Sequence, residues 1–187
     1  MRSRTFWIIL LAAVLGVLAT VAAWQMGTDA GRERHVREQR EQALKRRFDA
    51  AVALLNARQY DEAASAWHEV LAIAPKLPEA HVNLGYSLIG LKQYGLARDF
   101  FNSALELNKN QTNAYFGLAL ALDELGDREG ALGAMRAYVH LAPKGDRYRA
   151  KAEAAIWEWE AARSAGAAVP ENGNAPLEYP IRGKKLR

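Results

Sequence analysis

The sequence predicts an all-α fold of tandem helical hairpins. Three observations indicate it: apolar residues recur at three- and four-residue spacing, turn-forming breaks separate these stretches, and the whole pattern returns every 34 residues. No stretch gives a convincing strand pattern. One hairpin of this length cannot bury its own apolar face, so it needs neighbours of the same kind. The period therefore predicts a stacked array of hairpins.

The stretch from residue 78 to 111 shows the hairpin most clearly, with a break at residues 90–95 between two amphipathic helices. The apolar faces are predicted to be Ala80, Leu84, Leu88 and Leu91 in the first helix, and Leu96, Phe100 or Phe101, Ala104 and Leu107 in the second. This arrangement predicts a helix, a tight turn and a second helix.

Several kinds of side chain recur at the same place in each unit. Small residues let the two helices of a hairpin approach closely, and large apolar residues fill the space around them. The columns are Ala51, Gly85 and Ala119; Leu54, Leu88 and Leu122; Ala63, Ala97 and Ala131; Trp67, Phe101 and Met135; and a closing column of Ile73, Leu107 and Leu141. These columns predict three repeats, at residues 44–77, 78–111 and 112–145.

With this period, and with the segments NLGYSL, ARDFF and ALEL, the chain resembles the tetratricopeptide repeat family. It departs from the family pattern at Arg47 and His81, where tryptophan is usual, and at Lys109, where a proline usually stops the second helix. These departures weaken the edges of single repeats and leave the predicted fold unchanged.

A single helix is predicted to follow the third repeat, at residues 146–165. Its apolar face would cover the open side of the last hairpin, as the capping helix of the family does. That face is Ala152, Ala155, Ile156 and Trp159. Trp157 falls roughly 200° around the helix from Trp159, so we expect it to be exposed, covered by the tail, or placed in a groove.

The composition limits the number of domains, the kinds of metal site and the classes of partner. A chain of 187 residues, half of them hydrophobic, suggests one domain plus an additional segment. The absence of cysteine excludes disulfides and thiolate metal sites. The net charge of +4 is too small to indicate a class of partner by itself. Nucleic-acid binding would need a longer basic surface with interleaved aromatic residues, so no nucleic-acid partner is predicted.

Residues 1–27 are predicted to form a membrane anchor. Residues 6–23 carry no charge and would span roughly 27 Å as a helix. Trp7 and Trp24 bracket this run, as interfacial aromatic residues do. A cleavable signal peptide ending at residues 21–23 is the alternative. The length of the run favours a single-pass helix in the inner (plasma) membrane.

The charges around this run disagree about its orientation. Arg2 and Arg4 precede it directly and favour a cytoplasmic N-terminus, whereas further arginines follow within residues 32–40. Because the closer pair is given more weight, we expect the repeats to lie in the periplasm or otherwise outside the cytoplasm.

Two charged segments flank the repeats. Residues 28–43 predict a charged helical linker, in which Glu33 precedes Arg37 at the favourable i,i+4 spacing. Residues 166–187 contain three prolines, show no helical period and end in a basic sequence, which predicts an extended or disordered tail. The linker would act as a semi-rigid stalk, as a basic patch that touches anionic lipid, or only as a solvated helix. The tail would contact an acidic partner or lipid headgroups, or serve only as a solubilising segment.

The sequence offers no catalytic constellation. Its four histidines are dispersed, and it contains no HExxH, phosphate-loop or GxSxG motif. Adjacent acids such as Asp123 and Glu124 have no evident orienting partner and are expected to be solvated charges. We therefore predict a protein that is not an enzyme and has no cofactor, no metal site and no small-molecule substrate.

The resemblance implies a binding groove, because the first helix of each hairpin in this family lines a groove that usually receives a peptide segment. Ten residues are here called the groove face. Eight occupy the corresponding groove columns, Asn83 occupies a column where the family commonly has Asn, and the capping helix would add Trp157; the eight are Phe48, Val52, Val82, Tyr86, Ile89, Phe116, Leu120 and Asp123. Leu55 belongs to the same columns, although Leu55 and Leu120 can also turn inward. Asn83 fits either a bond to a peptide backbone or a scaffold role.

Most of the groove face is aliphatic or aromatic, so clamping of a terminal carboxylate by basic residues is not supported. Such a surface either receives a hydrophobic or amphipathic partner segment, or is filled by the tail around Leu177, Tyr179 and Ile181. We expect a membrane-tethered adaptor that binds a protein or peptide segment and assists assembly or maturation of an envelope complex. The alternatives are a constitutive subunit of a membrane complex and a regulatory adaptor facing the cytoplasm.

Overall fold

The computed structural model describes residues 2–165, although between residues 2 and 30 it describes only a few side chains. Apart from short turns, this part of the chain is helical, which confirms the all-α prediction. The helices are α1 (Arg2–Asn56), α2 (Tyr60–Ile73), α3 (Pro78–Gly90), α4 (Tyr94–Leu107), α5 (Thr112–Glu124), α6 (Arg128–Leu141) and α7 (Arg149–Ala165). The chain separates into two compact units, with the boundary between Ala43 and Leu44.

The predicted anchor and the predicted tail fall largely outside the described residues. Most side chains of residues 6–23 are not described, and neither is any part of residues 166–187. Within the described part of the chain, no helix is long and apolar enough to cross a membrane. The anchor and the tail therefore stay predictions from the sequence.

The three predicted hairpins are present in the second unit. The end of α1 contacts α2 through Phe48 and Trp67, while α3 packs against α4 and α5 packs against α6. Contacts between α2 and α3, and between α4 and α5, join consecutive hairpins. The last helix, α7, packs against α6. The predicted stacked array is thus confirmed.

The turn inside every hairpin has the same backbone geometry. Arg58, Lys92 and Gly126 lie 34 residues apart and have positive φ angles of 59°, 58° and 81°. In each turn the next amide donates to the carbonyl five residues earlier, over 2.8–3.0 Å. This is the Schellman pattern that ends an α-helix. The 34-residue period therefore extends to the backbone, even where arginine or lysine occupies the left-handed position.

The Phe101 ring sets the distance between the second and third repeats. The ring is fully buried, and a Cβ atom added to Gly85 of α3 would come within 2.7 Å of it. A Cβ atom on Gly117 of α5 would overlap the same ring. The sequence columns identified Gly85 but missed Gly117, because Gly117 contacts a side chain of the preceding repeat.

The structure corrects the predicted apolar face of α4. Leu96 is 53 % exposed and Leu107 is 40 % exposed, whereas Ala97, Phe101 and Ala104 are buried. Leu96 points about 100° away from Ala97, since each residue advances the helix by that angle. The whole predicted closing column is exposed, because each of its members is the last residue of its helix: Ile73, Leu107 and Leu141.

The capping helix begins at Arg149, which is later than the predicted start at residue 146. The Asp146 carboxylate accepts hydrogen bonds from the Tyr138 hydroxyl, over 2.6 Å, and from the Tyr148 amide, over 2.9 Å. These bonds hold the preceding residues in a turn. The predicted apolar face of α7 is otherwise correct, since Ala152 and Trp159 are buried.

We expect Gly117→Ala to lower the free energy of unfolding by about 1–3 kcal/mol, because the added methyl group overlaps the buried Phe101 ring. Gly133→Ala is the matched control, since nothing lies within 4 Å of a Cβ atom at that position on α6. Helix propensity predicts that the control gains about 1 kcal/mol. Urea unfolding of the full chain measures both. A Gly117→Ala variant as stable as the parent would contradict the placement of Phe101.

Candidate functional site

The first-repeat part of the groove face lies mostly inside the fold. Phe48 is 1 % exposed and meets Trp67 edge-on, with ring centroids 4.9 Å apart. Leu55 is buried as well. Of these predicted positions, Val52 keeps part of its surface exposed. Phe48 and Leu55 therefore act as core residues of the first hairpin.

The second-repeat part lies on α3 and is buried almost completely. Val82, Asn83 and Ile89 are at most 5 % exposed, and Tyr86 is fully buried. The Tyr86 ring lies edge-on to that of Phe101, with centroids 5.1 Å apart. Its hydroxyl donates a hydrogen bond to the Asn113 carbonyl over 2.7 Å. Tyr86 thereby joins α3 to the first turn of α5.

Asn83 places a polar group in this buried region. Its amide nitrogen is buried and has no hydrogen-bond acceptor in the described part of the chain. An unpaired buried donor costs about 1–3 kcal/mol. A carbonyl oxygen of a bound segment would satisfy such a donor, so a role in backbone binding stays as compatible with the structure as a scaffold role.

The third-repeat part divides between core and surface. Phe116 is 4 % exposed, and its ring centroid lies 5.0 Å from that of Tyr138 and 5.9 Å from that of Tyr148. Leu120 and Asp123 remain partly exposed. They are three residues apart on α5 and are therefore neighbours on its surface. This pair presents an apolar and an acidic group side by side.

An acidic cluster of Asp123, Glu124 and Glu158 lies at the end of α5. Burial raises the pKa of Asp123; Arg128, 3.9 Å away, opposes this, and the carboxylates of Glu124 and Glu158 raise it further. Burial also raises the pKa of Tyr94, whose hydroxyl donates to Glu124. Three carboxylates facing one arginine favour the approach of a cationic group. Sequence reasoning missed Glu158, because only the packing of α7 brings it near α5.

Trp157 is the most exposed groove-face residue, with 73 % of its surface accessible. It lies on the opposite side of α7 from the buried Trp159, as the helix geometry requires. Among the described residues, no group of three or more acidic or histidine side chains is placed to hold a metal ion. The accessible part of the groove face is therefore Val52, Leu120, Asp123 and Trp157.

Comparison with known proteins supports the repeat architecture. Family models of the tetratricopeptide repeat match residues 78–111 and 113–145. The first match has the same bounds as the second predicted repeat, and the other differs from the third by one residue. None of the curated proteins matches this sequence.

Three solved structures illustrate the likeness. The first tetratricopeptide domain of Spaghetti (RPAP3), bound to an HSP90 peptide, is 22 % identical with a TM-score of 0.59, covering 67 % of this chain and 94 % of that chain. The type III secretion chaperone SycD of Yersinia enterocolitica, in complex with a peptide of the translocator YopD, is 13 % identical with a TM-score of 0.61, covering 65 % and 95 %. The tetratricopeptide domain of Sgt2 from Aspergillus fumigatus is 19 % identical with a TM-score of 0.60, covering 74 % and 90 %.

At these identities the likeness is one of fold. The stacked hairpins, the repeated turn geometry and the family-model matches agree with one another. Residues 78–111 and 113–145 therefore form tetratricopeptide repeats.

Proposed function

We propose that this protein is an adaptor that binds a segment of another protein on its groove face. The observation that carries the proposal is the exposed apolar surface of Leu120 and Trp157 on the two helices that form the acidic cluster. Exposed aromatic and aliphatic groups bordered by charge are typical of peptide-binding surfaces. The best-fitting partner is an amphipathic segment with apolar residues and a basic group.

Structures of similar fold support this proposal. RPAP3 has been solved with an HSP90 peptide, SycD with a peptide of YopD, and PcrH with the chaperone-binding region of PopD. In each of these complexes the partner is a peptide or region of another protein. A tetratricopeptide domain with an accessible apolar edge suits the same kind of ligand.

The proposal includes a membrane tether. The uncharged run at residues 6–23 has the length and flanking tryptophans of a single-pass anchor. The close pair Arg2 and Arg4 favours a repeat domain outside the cytoplasm. In that position the adaptor would assist assembly or maturation of an envelope complex.

We expect Leu120→Glu and Trp157→Ser each to weaken peptide binding at least tenfold, because each removes apolar surface that a bound segment would cover. The probes are peptides selected from a displayed random library on the purified full chain, measured by fluorescence anisotropy. Leu96→Glu is the matched control for Leu120→Glu, since Leu96 is 53 % exposed on the second-helix layer. If Leu96→Glu weakens binding equally, or if Leu120→Glu and Trp157→Ser do not weaken it, the peptide binds outside the groove face.

We expect a C-terminal tag in intact cells to become accessible to protease once the outer barrier is opened, because the anchor would hold the repeats outside the inner membrane. Immunoblotting of the tag before and after each barrier is opened measures this. A cytoplasmic protein of the same cells serves as the control for inner-membrane integrity. Protection that persists until the inner membrane is lysed would reverse the proposed orientation.

A further inference from the structure

A pocket between α6 and α7 is lined by basic side chains. Its volume is about 460 Å³, and Arg136, His140, Lys144 and Arg149 contribute to its lining. No acidic side chain of the described residues lines it. A cleft lined by charges of one sign attracts ions of the opposite sign. The pocket therefore favours an anionic ligand.

The fold holds the Arg149 guanidinium of this pocket in one position. Its Nη1 donates to the carbonyls of Val139 and Ala142, over 2.8 Å and 2.9 Å, and its Nε donates to Glu153 over 2.9 Å. These bonds leave the two N–H groups on Nη2 without an acceptor in the described part of the chain. Because the side chain is already ordered, binding an anion there costs little further conformational entropy.

Two carboxylates near the pocket neutralise part of its charge. Glu160 accepts a hydrogen bond from Nη2 of Arg136 over 2.6 Å, and Glu153 pairs with Arg149. Lys144 is exposed and has no ion-pair partner among the described residues. Its charge is therefore not balanced, and the pocket keeps a net positive charge.

The donors of the pocket suit a phosphate group. A guanidinium matches phosphate and carboxylate oxygens with two parallel N–H groups, whereas a lysine acts as a point charge. A carboxylate offers two oxygens and a single charge. A phosphate ester offers three acceptor oxygens and a charge of about −1.5 to −2 at neutral pH. Two arginines, a lysine and a histidine match the phosphate better.

Apolar side chains complete the lining. Val139 and Ile156 keep part of their surface accessible, and Ala142 contributes a small buried side chain. Pockets of about 300–1,000 Å³ bind organic ligands whose apolar parts contact such side chains. We therefore expect the phosphate to carry an organic group.

We propose that the pocket between α6 and α7 binds the phosphate group of an organic phosphate ester. A phospholipid headgroup and a soluble phosphate compound share this group, which Arg136, Lys144 and Arg149 would bind. The proposal goes beyond the proposed function, because none of the pocket residues belongs to the groove face. Loss of peptide binding would leave it unaffected.

The test adds glycerol 3-phosphate to the isotopically labelled full-length chain in a neutral maltoside detergent. We expect saturable shifts of the amide resonances of residues 139–149, and no such shifts with sodium chloride at equal ionic strength. The double substitution Arg136→Gln and Lys144→Gln should weaken binding at least about tenfold, because it removes two charged donors. Both side chains are exposed, so the variant should retain the fold.

The double substitution Lys76→Gln and Arg98→Gln is the matched control. Lys76 lies two repeat periods before Lys144 and also follows a proline, and Arg98 pairs with an exposed carboxylate as Arg136 does. Neither control residue lines the pocket. Both variants lose two positive charges, so equal weakening by the control would overturn the proposal in favour of an effect of net charge.

Nanodiscs distinguish the two sources of phosphate. The full-length chain is compared in nanodiscs of phosphatidylcholine alone and in nanodiscs that also contain phosphatidic acid. Shifts at residues 139–149 that require phosphatidic acid, and that Arg136→Gln with Lys144→Gln abolishes, would identify a lipid headgroup as the ligand. Shifts with glycerol 3-phosphate and none with phosphatidic acid would identify a soluble phosphate compound. If neither produces shifts at these residues, the proposal is wrong.

Discussion

The position of one aromatic ring governs the arrangement of this repeat array. Phe101 of α4 occupies the space left by Gly85 on α3 and Gly117 on α5, so these two first helices approach closely. Because the ring is fully buried and interiors are close-packed, the spacing of the two helices cannot relax without cost. That spacing also brings the Tyr86 hydroxyl within 2.7 Å of the Asn113 carbonyl. Close packing between the second and third repeats follows from this contact.

The same close approach changes the role of the aromatic residues on the first helices. Phe48, Tyr86 and Phe116 each meet an aromatic ring of a second helix at a steep angle, with centroids 4.9–5.1 Å apart. Such edge-to-face pairs contribute about 0.5–1.5 kcal/mol beyond their burial. Side chains that would otherwise be free for a ligand are therefore committed to the core. Within the groove face, the residues that keep accessible surface are Val52, Leu120, Asp123 and Trp157.

Much of the fold could be predicted from the sequence, and particular residues show where prediction stopped. The small and large columns, such as Ala97 with Phe101, are buried as expected, because each lies on the helix face that its own hairpin requires. Leu96 and Leu107 were expected to be buried and are exposed, since the buried stripe of α4 follows Ala97, Phe101 and Ala104. The role of Gly117 could not be predicted from the repeat columns, because the Phe101 ring that it contacts belongs to the preceding repeat.

The sequence by itself determined the 34-residue hairpin unit, its turns and its close-packed columns, since these depend on residues near one another along the chain. The resemblance to the tetratricopeptide repeat family also led to the prediction of the ten groove-face residues. Only the tertiary structure decided which of them are accessible. Tyr86 is fully buried while Trp157 is 73 % exposed, because exposure depends on atoms distant in the sequence. The proximity of Glu158 to Asp123 was decided in the same way, when α7 packed against the last hairpin.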